Sequence, residues 1–274
     1  VAVAEAAAAA AAALGFASRE ESGGGGGEAS AVEFVCAARE DAAQKAEHVV
    51  TEPPSCSFRV RGPRYLSSKA KIPCDWAGMR LLGCDLWKGG ERMEHVAAGP
   101  AAGKVAALRA RYGRDLLLIN FQCPAKGGGS VSVVLWWVMT ERAAEDARFT
   151  GLWRRFMDSG DDKWRGLRLK MIPCVVEGNF FVKKLLGDRP VLIKAIKTRY
   201  HTGPGYIEVV GDILSSKMAT NMWRGVESFA KSLVVDLGFV LEAQAEQELP
   251  ERLMGTVRFH RINLRKAVPP PTTP

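Results

Sequence analysis

Residues 115–139 restrict the fold more than any other stretch. DLLLINFQCP is an apolar run closed by Pro124, a glycine loop follows at 127–129, and SVSVVLWWVM is rich in β-branched and aromatic residues. Such runs form strands, and glycine at their junction permits a tight reversal, so a hairpin is predicted. Neighbouring side chains of a strand point to opposite faces. Trp136 and Trp137 are therefore separated: one indole enters the core, and the other covers a helix, lipid or a partner.

Around this hairpin the body reads as strands with short glycine-containing connections. Phe58 and Val60 alternate with Arg59 and Arg61, and Gly62-Pro63 turns the chain. Residues 93–98 and 104–112 read as helical. A helix is predicted over 143–157, with Phe149, Leu152, Trp153 and Phe156 on one face. The spacing then predicts a strand through WRGLRLKMIPCVVEG, with Leu167, Leu169 and Met171 alternating with Arg168 and Lys170. Further strands are expected in 180–196, in GYIEVVGDI and in LVVDLGFVLE. The pattern predicts an α+β fold: a curved, mostly antiparallel sheet with helices packed on it.

Ahead of the body, residues 1–30 form a low-complexity leader of polyalanine and polyglycine, and 31–52 a helix with a Pro-rich linker. The body spans 53–265, and 266–274 is a Pro-rich tail. The absence of an initiator methionine fits a processed organellar precursor and fits truncation equally well. Up to Val50 three basic residues stand against eight acidic ones, and beyond it 35 against 22. An acidic leader on a basic body points to anionic partners: lipid, nucleic acid or an acidic protein. No run of strongly apolar residues is long enough for a transmembrane helix.

Candidate chemistry is sparse. Cys36, Cys56, Cys74, Cys84, Cys123 and Cys174 form no CxxC pair, and the four histidines are isolated. No metal or cofactor is expected from those spacings. Glu208 and Asp212 share one face of a strand, as do Asp236 and Glu242; buried, such pairs could act as acid and base, and exposed they meet solvent or arginines. A helix beginning at Ser215 or Ser216 and ending at Leu233 has an apolar stripe of Met218, Met222, Val226 and Phe229. Its Lys217, Arg224 and Lys231 are seven apart and form a basic ridge. Those three and Arg59 and Arg61 are the candidate lipid or anion-binding residues. Trp136, Trp137, Trp223 and Tyr206 are candidates for a pocket or a partner contact. The loop HTGPGY (201–206) lacks a phosphate-cradling glycine pattern and reads as a structural turn.

Several blocks carry a family resemblance: SFRVRGPRYL, LLLINFQCP, RLKMIPCVVEGNFFVK, GYIEVVGDI with its following serines, LVVDLGFVLEA and ELPERLMG. In this order they resemble the C-terminal domain of the Enhanced Disease Resistance 2 proteins of plants and protists, a domain labelled as of unknown function, over about residues 53–264. In that family the domain often follows a pleckstrin-homology and a START domain, neither of which is recognisable in this sequence. The resemblance implies a membrane or lipid context and brings no catalytic residue. The function expected is a non-enzymatic binding module, peripheral to a membrane, on anionic lipid or membrane-protein subunits. The alternatives are an accessory subunit of a large, plastid-type membrane complex and, third, a lipid-modifying enzyme. Nucleic-acid binding is disfavoured, because no basic strip with interleaved stacking aromatics is present.

Overall fold

The computed structural model describes residues 49–125, 128–178, 191–192, 196–215, 217, 220 and 232–272. In chain order, β1 (Val49–Thr51) leads to β2 (Arg59–Arg61), a single helical turn α1 (Tyr65–Ser68), β3 (Lys71–Pro73) and the long β4 (Met79–Gly89). Helix α2 (Ala102–Tyr112) precedes the hairpin β5 (Leu116–Pro124) and β6 (Ser130–Met139). Helices α3 (Glu141–Glu145), α4 (Ala147–Asp158) and α5 (Asp162–Arg168) then lead into β7 (Leu169–Glu177) and β8 (Val191–Leu192). The chain continues through β9 (Lys197–Gly203), β10 (Tyr206–Asp212), β11 (Val234–Leu241) and β12 (Leu253–His260).

The fold is α+β and mostly antiparallel, as expected. Its strands divide between two five-stranded sheets, ordered β1-β12-β11-β7-β8 and β4-β6-β5-β10-β9, with β2 and β3 paired separately. β5 and β10 run parallel, with Tyr206 opposite Leu116 and Asp212 opposite Gln122. The composition of the central hairpin explains the two-sheet arrangement. Every residue of β6 is buried on both faces, so neither side can be left to water.

On one face, Leu117, Ile119, Leu135 and Trp137 meet Leu237 and Phe239 of the other sheet. The Phe239 ring lies 5.5 Å from Trp137, edge-on, and 6.5 Å from Phe121. The Trp137 indole N–H donates to the Thr256 carbonyl at 3.1 Å, which ties the two sheets together. On the opposite face, Leu116, Leu118, Val134 and Trp136 are covered by Val96, Ala97 and Val105. Phe58 and Val60 close a smaller cluster over Ile172, Val240 and Leu253.

Two of the departures from the sequence reading are set by aspartate caps. The helix expected over 143–157 is two helices, because Asp146 accepts the Phe149 amide at 2.8 Å and starts a new one. Its apolar face is as expected, with Phe149, Trp153 and Phe156 buried. Asp161 accepts the amides of Lys163 and Trp164 at 2.9 and 3.0 Å, so residues 162–168 are helical and the strand expected from Trp164 begins only at Leu169. Arg168 is consequently buried and Leu167 is exposed, the reverse of the strand alternation.

Residues 93–95 are irregular and 96–101 form a turn, so 93–98 is not a helix. Val49 and Val50, assigned to the leading helix from sequence, pair as a strand with His260 and Phe259. The rest of that helix, the leader, and the stripe Met218, Met222, Val226 and Phe229 lie outside the described residues. Of the loop 201–206, Pro204 and Gly205 form the hairpin turn, and the remaining residues belong to β9 and β10. Gly205 has φ +70°, and a side chain there would sit 1.9 Å from the Arg109 guanidinium. Among the described residues, no helix is long and apolar enough to cross a membrane.

Candidate anion-binding cleft

Between β2 and β3 the chain runs RVRGPRYLSSKAK. Five cations, Arg59, Arg61, Arg64, Lys69 and Lys71, occur here with no acid among them. β2 and β3 pair with Arg61 opposite Lys71. Alternation turns Val60 into the cluster under Phe58, so the arginines that flank it are directed away from that cluster. The hairpin lies against the ends of β7 and β11 and encloses a cleft of about 160 Å³. Arg59, Arg61, Lys71 and Lys170 line it with the carboxylates of Glu242 and Glu251. Four cations against two acids leave an excess of two positive charges.

Arg61 is the most constrained of these. Its Nη2 donates to Glu242 Oε2 at 2.6 Å, its Nη1 to the Ala243 carbonyl at 2.5 Å, and its Nε is 3.5 Å from Glu251 Oε1. The Tyr65 ring lies beneath its guanidinium at 4.6 Å. Lys170 pairs with the same Glu242 oxygen. Glu251 is buried and accepts the amides of Arg61 and Ala243, both at 2.9 Å. Burial pushes its carboxyl above the usual range, opposed by those two amides and by Arg61 and Lys170. The rim is freer. Arg59, Arg64 and Lys69 are exposed, and Arg59 donates to the Lys71 carbonyl at 2.6 Å.

The acidic loop that closes the cleft is held by a second arginine. Arg168 donates to Glu248 at 2.6 Å and to the Glu242 carbonyl at 2.8 Å. Burial works to raise the Glu248 carboxyl, but Arg168 and the amides of Gln244 and Ala245 outweigh it and hold the carboxyl below the usual range.

Of the other residues singled out in the sequence, the paired carboxylates are taken up by donors. Glu208, fully buried, accepts the Val96 and Ala97 amides at 3.1 and 2.9 Å and the Asn120 amide at 3.1 Å. Asp212 pairs with Arg92 at 3.1 Å, and Asp236 with Arg258 through two bonds of 2.6 and 2.9 Å. Trp136 is buried beneath α2, donates to Asp85 at 2.8 Å and carries Lys104 over its ring at 4.4 Å. Trp137 is in the inter-sheet core, so both indoles are used internally. Tyr206 is buried, with its hydroxyl 2.9 Å from His95 Nε2, and His95 stacks on His201 at 4.5 Å. Lys217 is helical and exposed; Trp223, Arg224 and Lys231 lie outside the described residues.

Sequence reasoning found Arg59 and Arg61 and missed Lys71, Lys170, Glu242's role between the cations, and the histidine stack. A cation count over 59–71 would have found the hairpin, but local spacing has no signal for Lys170.

A family-wide sequence model described as "Protein ENHANCED DISEASE RESISTANCE 2, C-terminal" matches residues 51–263. The chain belongs to that family. It is also similar to an Enhanced Disease Resistance 2-like protein of Arabidopsis thaliana, with 36% identity over 215 residues. That alignment takes in 78% of this chain and 28% of the Arabidopsis protein, so the chain corresponds to a little over a quarter of that relative. No solved structure matches the chain. Within the family match, the basic hairpin and β7, β11 and β12 all fall inside residues 51–263, so this C-terminal-type domain contains the whole cleft.

Proposed function

We propose that this domain is a non-enzymatic binding module that works at an anionic membrane surface through the basic hairpin. The observation behind it is the concentration of the exposed Arg59, Arg64 and Lys69 and the half-buried Lys71 on one hairpin that has no acid of its own. Basic residues near an anionic leaflet contribute about 1 kcal/mol each, so four supply useful affinity without any deep pocket. The carboxylates that could have served as acid and base are instead held by specific amides and arginines, which supports contact over turnover.

Flotation with phosphatidylserine vesicles, compared with phosphatidylcholine vesicles, tests the reading. Co-flotation with the anionic vesicles only, diminishing with salt, is expected. Equal recovery with neutral vesicles, or none with either at low salt, removes it.

A further inference from the structure

We propose that the cleft between the β2–β3 hairpin and the ends of β7 and β11 is a seat for a phosphate monoester, part of which Glu242 occupies when no ligand is bound. The inference rests on the reading of this face as an anion-binding surface and adds the ligand class and an internal competitor.

Arg61 from β2 and Lys170 from β7 converge on a single atom, Oε2 of Glu242. Two cations from separate elements aimed at one oxygen form an anion site, and the chain's own carboxylate now stands in it. The Arg61 fork is already oriented by the Ala243 carbonyl, Glu251 and the Tyr65 ring, so little ordering remains for a ligand to bear. Arg59 and Lys71 add charge at the mouth. With Glu242 displaced, the four cations face Glu251 alone, and a monoester dianion cancels two of the three excess positive charges; a phosphate also offers three oxygens to an arginine fork and two ammonium groups. At about 160 Å³ the cleft is below the size of sites that enclose drug-sized molecules, and it suits a head group.

Glu242 is built to leave. Its backbone is clamped to Arg168, which accepts its amide at 2.7 Å and donates to its carbonyl at 2.8 Å. The side chain can therefore swing to solvent while the strand end stays in place. A phosphate and a carboxylate cannot share the same two cations, so binding expels Glu242.

The test uses the full chain. Glycerol phosphate, the soluble head group, is titrated by calorimetry against wild type and Glu242→Gln, and vesicles of phosphatidic acid are compared with phosphatidylserine at matched surface charge. Removing the competing charge should tighten glycerol phosphate about tenfold, and phosphatidic acid should be favoured over phosphatidylserine in the same variant. Tightening of glycerol phosphate without vesicle binding by wild type keeps the seat, makes a soluble phosphorylated molecule its ligand, and overturns the membrane reading. Vesicle binding that ignores the head group, with glycerol phosphate affinity unchanged in Glu242→Gln, overturns the seat and leaves the membrane reading standing. If Glu242→Gln does not fold, Arg59→Ala with Lys71→Ala decides. Those changes spare the internal pairs and should weaken glycerol phosphate several-fold, and unchanged affinity refutes the seat.

Discussion

Arg61 and Glu251 bind each other twice through the main chain: the Arg61 N–H donates to a Glu251 carboxylate oxygen at 2.9 Å, and the Glu251 N–H donates to the Arg61 carbonyl at 3.0 Å. This reciprocal pair fastens the basic hairpin to the loop before β12. Glu251→Ala leaves the amides of Arg61 and Ala243 without an acceptor and removes a counter-charge. A loss of ~2–4 kcal/mol in unfolding free energy is expected, read from the urea midpoint. Glu251→Gln keeps an acceptor and should cost less than half as much.

Asp236 is buried and its carboxyl is pushed up by burial, opposed by Arg258. Arg258→Met strands that carboxylate and should destabilise the fold by ~3–5 kcal/mol. Adding Asp236→Asn removes the stranded charge. The double variant should regain a large part of the loss in urea titration, and strict additivity would show that the two residues do not act as a pair.

His95 and His260 should make the protein weaken in mild acid. Burial holds the His95 imidazole below its ordinary value of 6.5, aided by His201 and opposed by Glu208. For His260 burial acts first, then Arg258 and Arg261, against Glu177. The unfolded chain therefore binds these protons more readily than the folded one. Their contribution is intact above 6.5 and is lost as pH falls toward the lower folded values. Tm should fall between about pH 7.5 and about pH 5.5, and His95→Asn with His260→Gln should flatten that fall. The raised carboxyls of Asp236 and Glu251 act with the opposite sign at lower pH and are common to both proteins, so the difference isolates the histidines.

Gly255 lies flat against Trp137, and a Cβ there would meet the indole nitrogen at 2.6 Å. The indole is fixed by its bond to Thr256 and by Phe239. Gly255→Ala must push the two sheets apart or tilt the ring, at a cost of ~1–3 kcal/mol measurable by thermal melting.

If the hairpin is the membrane contact, Arg59→Ala, Lys69→Ala and Lys71→Ala should each weaken phosphatidylserine vesicle binding about fivefold, matching ~1 kcal/mol per cation. Lys217→Ala, on the basic ridge named from sequence, should leave binding unchanged in the same flotation assay. The opposite ranking moves the contact to that ridge.

Local pattern was enough for whatever depends on neighbours in the chain. The β5–β6 hairpin, the opposed faces of Trp136 and Trp137, and the apolar side of α4 follow from alternation, helical spacing and a glycine turn, each spanning a few residues. The caps at Asp146 and Asp161 are also local, but apolar alternation gives a strand from Trp164 where the Asp161 cap makes a helix. The division into two sheets, the parallel β5–β10 pair and the cleft needed the folded chain. Glu242 and Glu251 stand 181 and 190 positions from Arg61. Nothing in the periodicity of either segment encodes that meeting, because alternation states which residues share a face and is silent on what that face will touch.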